Sequence, residues 1–223
     1  FKQEDSQPDY AEIIGPIISE GDTIHKDHNN YLLADKLLND AIELKDKGQY
    51  LDAAKLYKRS ANAERNNPEP RLDQLVSKLG MVGTMYYQVG QYDQALDHYN
   101  QALEIETGLE NDSLYTVLLN NSGMIYSQLG QYDQALDYYK HAVTILKRVN
   151  DEASVGILLT NIADLYFRLP QYKKALEYYD QALEIYKKLG DEEYVANIFH
   201  YIGRSHFELD EYDKAIEFFN KAM

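Results

Sequence analysis

The chain has 223 residues, a net charge of −15 and no cysteine. An acidic balance of that size argues against binding through nucleic-acid phosphates and permits a basic or neutral partner, while the absence of thiols excludes disulfides without indicating a compartment. No apolar run approaches the roughly 18 residues of a membrane span and no charged-then-apolar signal segment is present, so the expectation is a cytoplasmic protein, with an extracytoplasmic one left open because flanks are missing.

Residues 1–9, FKQEDSQPD, are polar with one proline and read as a frayed leader. In the next ten residues Ile13, Ile14, Ile17 and Ile18 form an apolar cluster interrupted by Gly15-Pro16, which predicts a short, kinked helix. Its expected role is to cap the first repeat, the alternative being an internal ligand for a groove or partner surface. His25 and His28 stand three apart beside Asp22 and Asp27, a spacing open to metal ligation. No further ligand set accompanies them, so they read as solvated polar residues. Residues 1–30 are thus a leader and capping segment, and residues 31–223 a repeat array.

The array begins with a helix from Tyr31 to Asp46 and its partner from Tyr50 to Asn66, and Pro68 and Pro70 end that pair. Thereafter one unit recurs. Its turns are Gly48-Gln49-Tyr50, Gly90-Gln91-Tyr92, Gly130-Gln131-Tyr132, Pro170-Gln171-Tyr172 and Asp210-Glu211-Tyr212, at steps of 42, 40, 40 and 40 residues. After each turn a small residue precedes an aromatic by four: Ala53 and Tyr57, Ala95 and Tyr99, Ala135 and Tyr139, Ala175 and Tyr179, Ala215 and Phe219. On a helix this spacing sets a socket beside a plug. Before each turn an apolar residue, a small one and an aromatic share a face: Leu79, Gly83 and Tyr86, then Leu119, Gly123 and Tyr126, then Leu159, Ala163 and Tyr166. The outer units depart from this, with Leu37, Ala41 and Leu44 in the first and Phe199, Gly203 and His206 in the fifth. The joints carry Gly for termination and Asn, Asp or Ser for N-caps, at Gly108 with Asn111-Asp112-Ser113, at Asn150-Asp151 and at Gly190-Asp191. Ten array helices and almost no strand are expected.

These residues resemble the tetratricopeptide repeat, over roughly residues 30–223. The period is longer than the usual 34 or so and Trp is absent, which resembles the repeats of kinesin light chain and of bacterial peptide-sensing regulators. The resemblance implies an all-α solenoid, a right-handed superhelix of five helix pairs with a short N-terminal capping segment. It also implies an inner groove that holds a protein or extended peptide.

Twenty-one tyrosines fall mostly on the repeat positions, where they fill space between helices, so they read as core rather than as a cofactor box. Of each adjacent pair, Tyr138-Tyr139, Tyr178-Tyr179 and Phe218-Phe219, one ring should pack and the other lie nearer a repeat interface or the surface. Asparagine is a poorer mid-helix residue, by up to about 0.7 kcal/mol, so the recurrence of Asn39, Asn121 and Asn161 two residues beyond core leucines asks for a cause. In the family that stripe lines the groove, and an amide there offers a donor and an acceptor to a peptide backbone. One turn on, the stripe continues through Ile42, Thr84, Met124, Asp164 and Arg204, then through Asp46, Gln88, Gln128, Arg168 and Glu208, with Met81 and Tyr201 replacing the asparagine in two units. The candidate groove residues are Asn39, Asn121, Met124, Asn161, Asp164, Arg168, Tyr201 and Arg204, with selectivity pockets around Tyr87, Met124, Phe167 and Tyr201.

No HExxH, phosphate loop, cysteine nucleophile or cofactor motif occurs, so no enzyme and no cofactor are expected. The chain starts at Phe1 and stops at Met223 within its last helix, and so reads as a fragment whose fifth repeat could pair with another copy. A non-catalytic peptide- or protein-binding scaffold is the favoured reading. The alternative is a structural or sensory spacer that self-associates and links to a missing effector or membrane segment.

Overall fold

The computed structural model describes residues 30–107 and 111–223. Those residues form ten α-helices and no strand: α1 Asn30–Asp46, α2 Tyr50–Arg65, α3 Leu72–Gln88, α4 Tyr92–Glu106, α5 Asp112–Gln128, α6 Tyr132–Arg148, α7 Glu152–Arg168, α8 Tyr172–Leu189, α9 Glu192–Glu208 and α10 Tyr212–Lys221. The expected capping segment, with His25 and His28, lies outside the described residues, as does Gly108.

Each helix pair reverses through the same closure. The N–H three residues past the end of the first helix reaches back to a carbonyl inside it: Gln49 to Leu44 (2.9 Å), Gln91 to Tyr86 (2.9 Å), Gln131 to Tyr126 (2.8 Å), Gln171 to Tyr166 (2.9 Å) and Glu211 to His206 (3.0 Å). The residue before that donor must be left-handed, which is why glycine stands there three times, at φ of 73° to 74°. Asp210 takes the same conformation at φ 58°. The side chains of Asp151 and Asp191 accept from the N–H of Ser154 and Tyr194, both at 3.1 Å, and so cap α7 and α9.

The chain divides into two compact units, residues 1–121 and 122–223, within α5. In the first, α2 packs on both α1 and α3, and α3 on α4. Ala41, Ala53, Ala54, Tyr57, Val82 and Met85 form a buried cluster. The Tyr99 ring lies over Gly83 so closely that a Cβ added at the glycine would come within 2.7 Å of it. The ring of His98 stacks on Tyr86 with centroids 5.7 Å apart and planes 5° from parallel. Burial, aided by the charge of Lys58, pushes the His98 imidazole down to about 4, so it is neutral at neutral pH and lies flat against its neighbour.

The joint after α2 holds a network that sequence periodicity does not announce. Glu64 is fully buried and accepts from Lys78 Nζ at 2.7 Å, from Arg71 Nη2 at 2.6 Å, Nε at 2.8 Å and N at 3.1 Å. Arg71 continues to Asp35 at 2.8 Å and its guanidinium sits 5.0 Å from the centre of the Tyr31 ring. Burial alone would raise the Glu64 carboxyl; hydrogen bonds from Arg71 and Lys78 outweigh it and hold it at about 2.

The second unit repeats the plug in register. A Cβ at Gly123 would meet the Tyr139 ring at 2.6 Å, and one at Gly203 the Phe219 ring at 2.8 Å. Plug and glycine are sixteen residues apart in every case, and Ala41 and Ala163 hold the same place before Tyr57 and Tyr179. Tyr139 and Tyr179 are buried while Tyr138 and Tyr178 are half-buried. The half-buried rings meet the preceding helix: Tyr178 stacks on Tyr166 (5.4 Å) and Phe218 on His206 (5.4 Å), while Tyr138 lies tilted against Tyr126 (5.2 Å). The split expected within the aromatic pairs is therefore present in Tyr138-Tyr139 and Tyr178-Tyr179 but not in Phe218-Phe219, where both rings are half-buried; the first ring of each pair joins its own repeat's two helices.

Two outcomes follow from this packing. Gly123→Ala should lower stability by roughly 1–3 kcal/mol, because the Tyr139 ring has no room to retreat; a chemical-denaturation midpoint equal to wild type would show that it does. Glu64→Gln should cost roughly 3–5 kcal/mol at neutral pH by leaving the buried Lys78 ammonium without its counter-ion. Because the Glu64 pKa is depressed on folding, its contribution is fully present above the ordinary carboxylate range near 4.5 and is lost as pH falls toward 2. The gap between wild type and Glu64→Gln, measured by urea unfolding, should hence close over that window and stay constant from pH 5 to 8.

Candidate functional site

Successive residues of the predicted stripe lie three or four apart on one face of each odd-numbered helix, so the face is built from α7 and α9 in the second unit and from α1, α3 and the first part of α5 in the first unit. On α7, Asn161 and Asp164 are half-buried and Arg168 is exposed; on α9, Tyr201 is half-buried and Arg204 and Glu208 are exposed. Met124, on α5, is half-buried.

The floor beneath these groups is aromatic. Tyr201 stacks on the buried Tyr179, centroids 5.6 Å apart and planes within 13°. Tyr179 donates its hydroxyl hydrogen bond to Asp164 Oδ1. Burial pushes the Asp164 carboxyl up, against the pull of the Tyr179 hydroxyl and the charges of Arg168 and Arg204. Burial and the facing carboxylate both raise the Tyr179 phenol, so it stays a donor. The Arg204 guanidinium lies 4.8 Å from the centre of the Phe167 ring, a cation–π contact that spans α9 and α7. Phe167 meets Tyr172 edge-on at 5.3 Å, and the Tyr172 hydroxyl donates to Glu208 at 3.3 Å. The structure thereby brings Asp164, Arg168, Tyr201 and Arg204 together around Tyr179 and Phe167.

In the first unit Asn39 is exposed on α1. Asn121 is half-buried, and its amide hydrogen-bonds the buried Tyr99 hydroxyl, which also lies 3.0 Å from Thr84 Oγ1. Asn121 therefore has a packing role that helix propensity alone does not disclose. The rule behind it is a spacing. In two repeats the residue fifteen before the plug meets its hydroxyl, Thr84 for Tyr99 and Asp164 for Tyr179. The residue twenty-two after it meets the plug from the next repeat, as Asn121 and Tyr201 do. Around Tyr57, where the place fifteen before holds Ile42 and the place twenty-two after holds Leu79, the hydroxyl is buried without a partner. Sequence reasoning took the second row as groove alone because it followed each helix face singly and did not pair rows with plugs.

A shallow cleft of about 320 Å³ opens elsewhere, among Lys147, Asp151, Glu152, Glu184 and Lys188, and holds none of the predicted residues. It is crossed by an exposed Lys188–Glu152 ion pair at 2.5 Å. Among the described residues no cluster of three or more His, Cys, Asp or Glu is placed to hold a metal, and no helix is long and apolar enough to cross a membrane.

Comparison with known proteins places this geometry. The family described as Tetratricopeptide repeat matches residues 41–107, 74–148, 114–188 and 154–223. Among solved structures, BtubC (BKLC) from P. vanneervenii is 24% identical, with 86% of this chain and 79% of that one covered and a TM-score of 0.77. A putative kinesin light chain of Podosopora anserina, with nearly identical repeats, is 16% identical over 88% and 95% of the two chains, TM-score 0.73. A Rap protein solved in complex with Competence and Sporulation Factor is 16% identical over 86% of this chain, TM-score 0.66, and this chain spans about half its length (53%). At such identities the likeness shows the fold alone. No curated protein matches the sequence.

The bond between Asn121 and Tyr99 can be weighed by a double-mutant cycle. Asn121→Ala should cost about 0.5–1.5 kcal/mol in wild type and become neutral or slightly stabilising in a Tyr99→Phe background, where propensity alone acts. Equal effects in both backgrounds, by thermal or urea unfolding, would remove the packing role assigned to Asn121.

Proposed function

The chain belongs to the tetratricopeptide-repeat family, and from that premise we propose that it is a non-catalytic scaffold that binds an extended peptide or a segment of another protein. The observation that carries this is the α7/α9 face, where polar and charged groups stand half-buried or exposed on an aromatic floor, with Asp164, Tyr201 and Arg204 each oriented by a ring or hydroxyl beneath it. Such a face combines pre-oriented hydrogen-bonding groups with apolar area, and so lowers the ordering cost of binding. In this reading Met124, Asn161, Asp164, Arg168, Tyr201 and Arg204 contact the ligand on the second unit, and Asn39 and Asn121 are the corresponding groups of the first unit's own face. The Rap protein's complex with Competence and Sporulation Factor supports a binding role for such a fold, and the chain's net charge of −15 speaks against a nucleic acid.

One observation favours the spacer reading instead. On α10, Ile216 is 59% exposed and Phe218 and Phe219 are only half-buried, a surface through which two copies could associate. Sedimentation across a hundredfold concentration range separates the two readings, since a concentration-dependent dimer abolished by Ile216→Glu would favour the spacer.

For the scaffold, Asn161→Ala should weaken peptide binding about two- to tenfold, from one hydrogen bond of about 0.5–1.5 kcal/mol. Calorimetry on a peptide selected from a random library reads the affinity, and thermal melting reads any cost to the fold. Unchanged affinity with a lowered melting temperature would make Asn161 structural and defeat the groove assignment.

A further inference from the structure

The α7/α9 face carries an alternating set of charges that close no ion pair with one another within 4.0 Å. Asp164 and Arg168 are four apart on α7, Arg204 and Glu208 four apart on α9, and Asp164 and Arg204 occupy the same place in successive repeats. Opposite charges at i and i+4 ordinarily close an ion pair. Among the described ion pairs, within 4.0 Å, neither of these closes. Elsewhere on these helices such pairs do form, as Lys221–Glu217 at 2.5 Å on α10 shows.

Three of the four charges are instead turned toward an aromatic group. Asp164 takes the Tyr179 hydroxyl, Arg204 lies over Phe167, and Glu208 takes the Tyr172 hydroxyl. A ring or a phenol orients a charge without cancelling it. Arg168 and Arg204 retain most of their planar donor sets, which match a carboxylate in two parallel hydrogen bonds. Asp164 and Glu208 keep acceptor capacity for an ammonium or guanidinium. A ligand of one sign would gain from two of the four groups and be opposed by the other two, whereas a ligand bearing both signs can meet all four.

Resting on the peptide-binding reading, we propose that this face selects peptides of mixed charge, with one acidic and one basic side chain two to four positions apart. The acidic residue engages Arg204 and Arg168, and the basic one engages Asp164.

The test is selection from a random nonapeptide display library on the folded protein, followed by anisotropy on the winners and on their charge-neutralised versions. Wild type should enrich peptides with an acid and a base two to four apart, and neutralising either residue should weaken binding about two- to tenfold. Arg204→Glu should lose the preference for the acidic residue and keep that for the basic one. Asp164→Asn, which keeps an oxygen for Tyr179, should do the reverse, with circular dichroism and melting verifying that both variants fold. Enriched peptides without paired charges, or variants with unchanged selection, would overturn the mixed-charge inference while leaving peptide binding in place. No enrichment by the folded wild type over a blank surface would overturn the peptide-binding reading, and this inference with it.

Discussion

The fit of one aromatic ring into the space left by one missing side chain governs this protein. Tyr99 over Gly83, Tyr139 over Gly123 and Phe219 over Gly203 leave no room for even a methyl group without displacement. A ring of that size buried in full stabilises by about 1.5–3 kcal/mol, but it also imports a hydroxyl that must be satisfied. The second consequence shapes the candidate site. Thr84, Asn121 and Asp164 sit where they do partly because a plug hydroxyl needs a partner there, and Phe219 ends the series with no hydroxyl to serve, which leaves Arg204 free to lie over Phe167.

Much of the backbone was legible because the repeat states its grammar several times over. Turn glycines, joint residues and the small-to-large spacing agree with one another at each copy, and agreement across levels is what makes a sequence specify a structure. Helix ends fell within a residue of expectation in the first pair, at Asp46 and at Arg65 rather than Asn66. The network of Glu64, Arg71 and Lys78 was not legible, since it belongs to one joint and its equivalents elsewhere differ: Glu106 recurs, but it stands without arginine or lysine, and burial raises its carboxyl. Periodicity reports what is repeated and is silent about what is local.

The candidate site was legible in membership and not in its interactions. Asn121 was singled out because asparagine is costly in mid-helix, which is sound as far as it goes, but the bond to Tyr99 runs between repeats and appears only when α4 and α5 are considered together. The Tyr179 hydroxyl, which orients Asp164, escaped notice for the same reason. A fifteen-residue spacing between a polar residue and a plug tyrosine is visible in the sequence once its meaning is known; nothing in a single helix face discloses it.

This double use of the same residues limits what the face can change. A group that holds a plug cannot be altered freely to suit a ligand, so Thr84 and Asn121 are constrained by the core of the first unit. Freedom is greatest where the plug makes no demand, at Arg204 before Phe219 and at Arg168 on the outer row. Charge therefore concentrates at the fourth and fifth repeats because there the fold permits it: Asp164 supplies the hydroxyl acceptor that Tyr179 requires, and an arginine can stand in each neighbouring place without leaving a buried donor unpaired. Specificity in a repeat protein of this kind is then expected to reside in those positions that packing has released, and to be inherited by the whole array only to the extent that its plugs lose their hydroxyls.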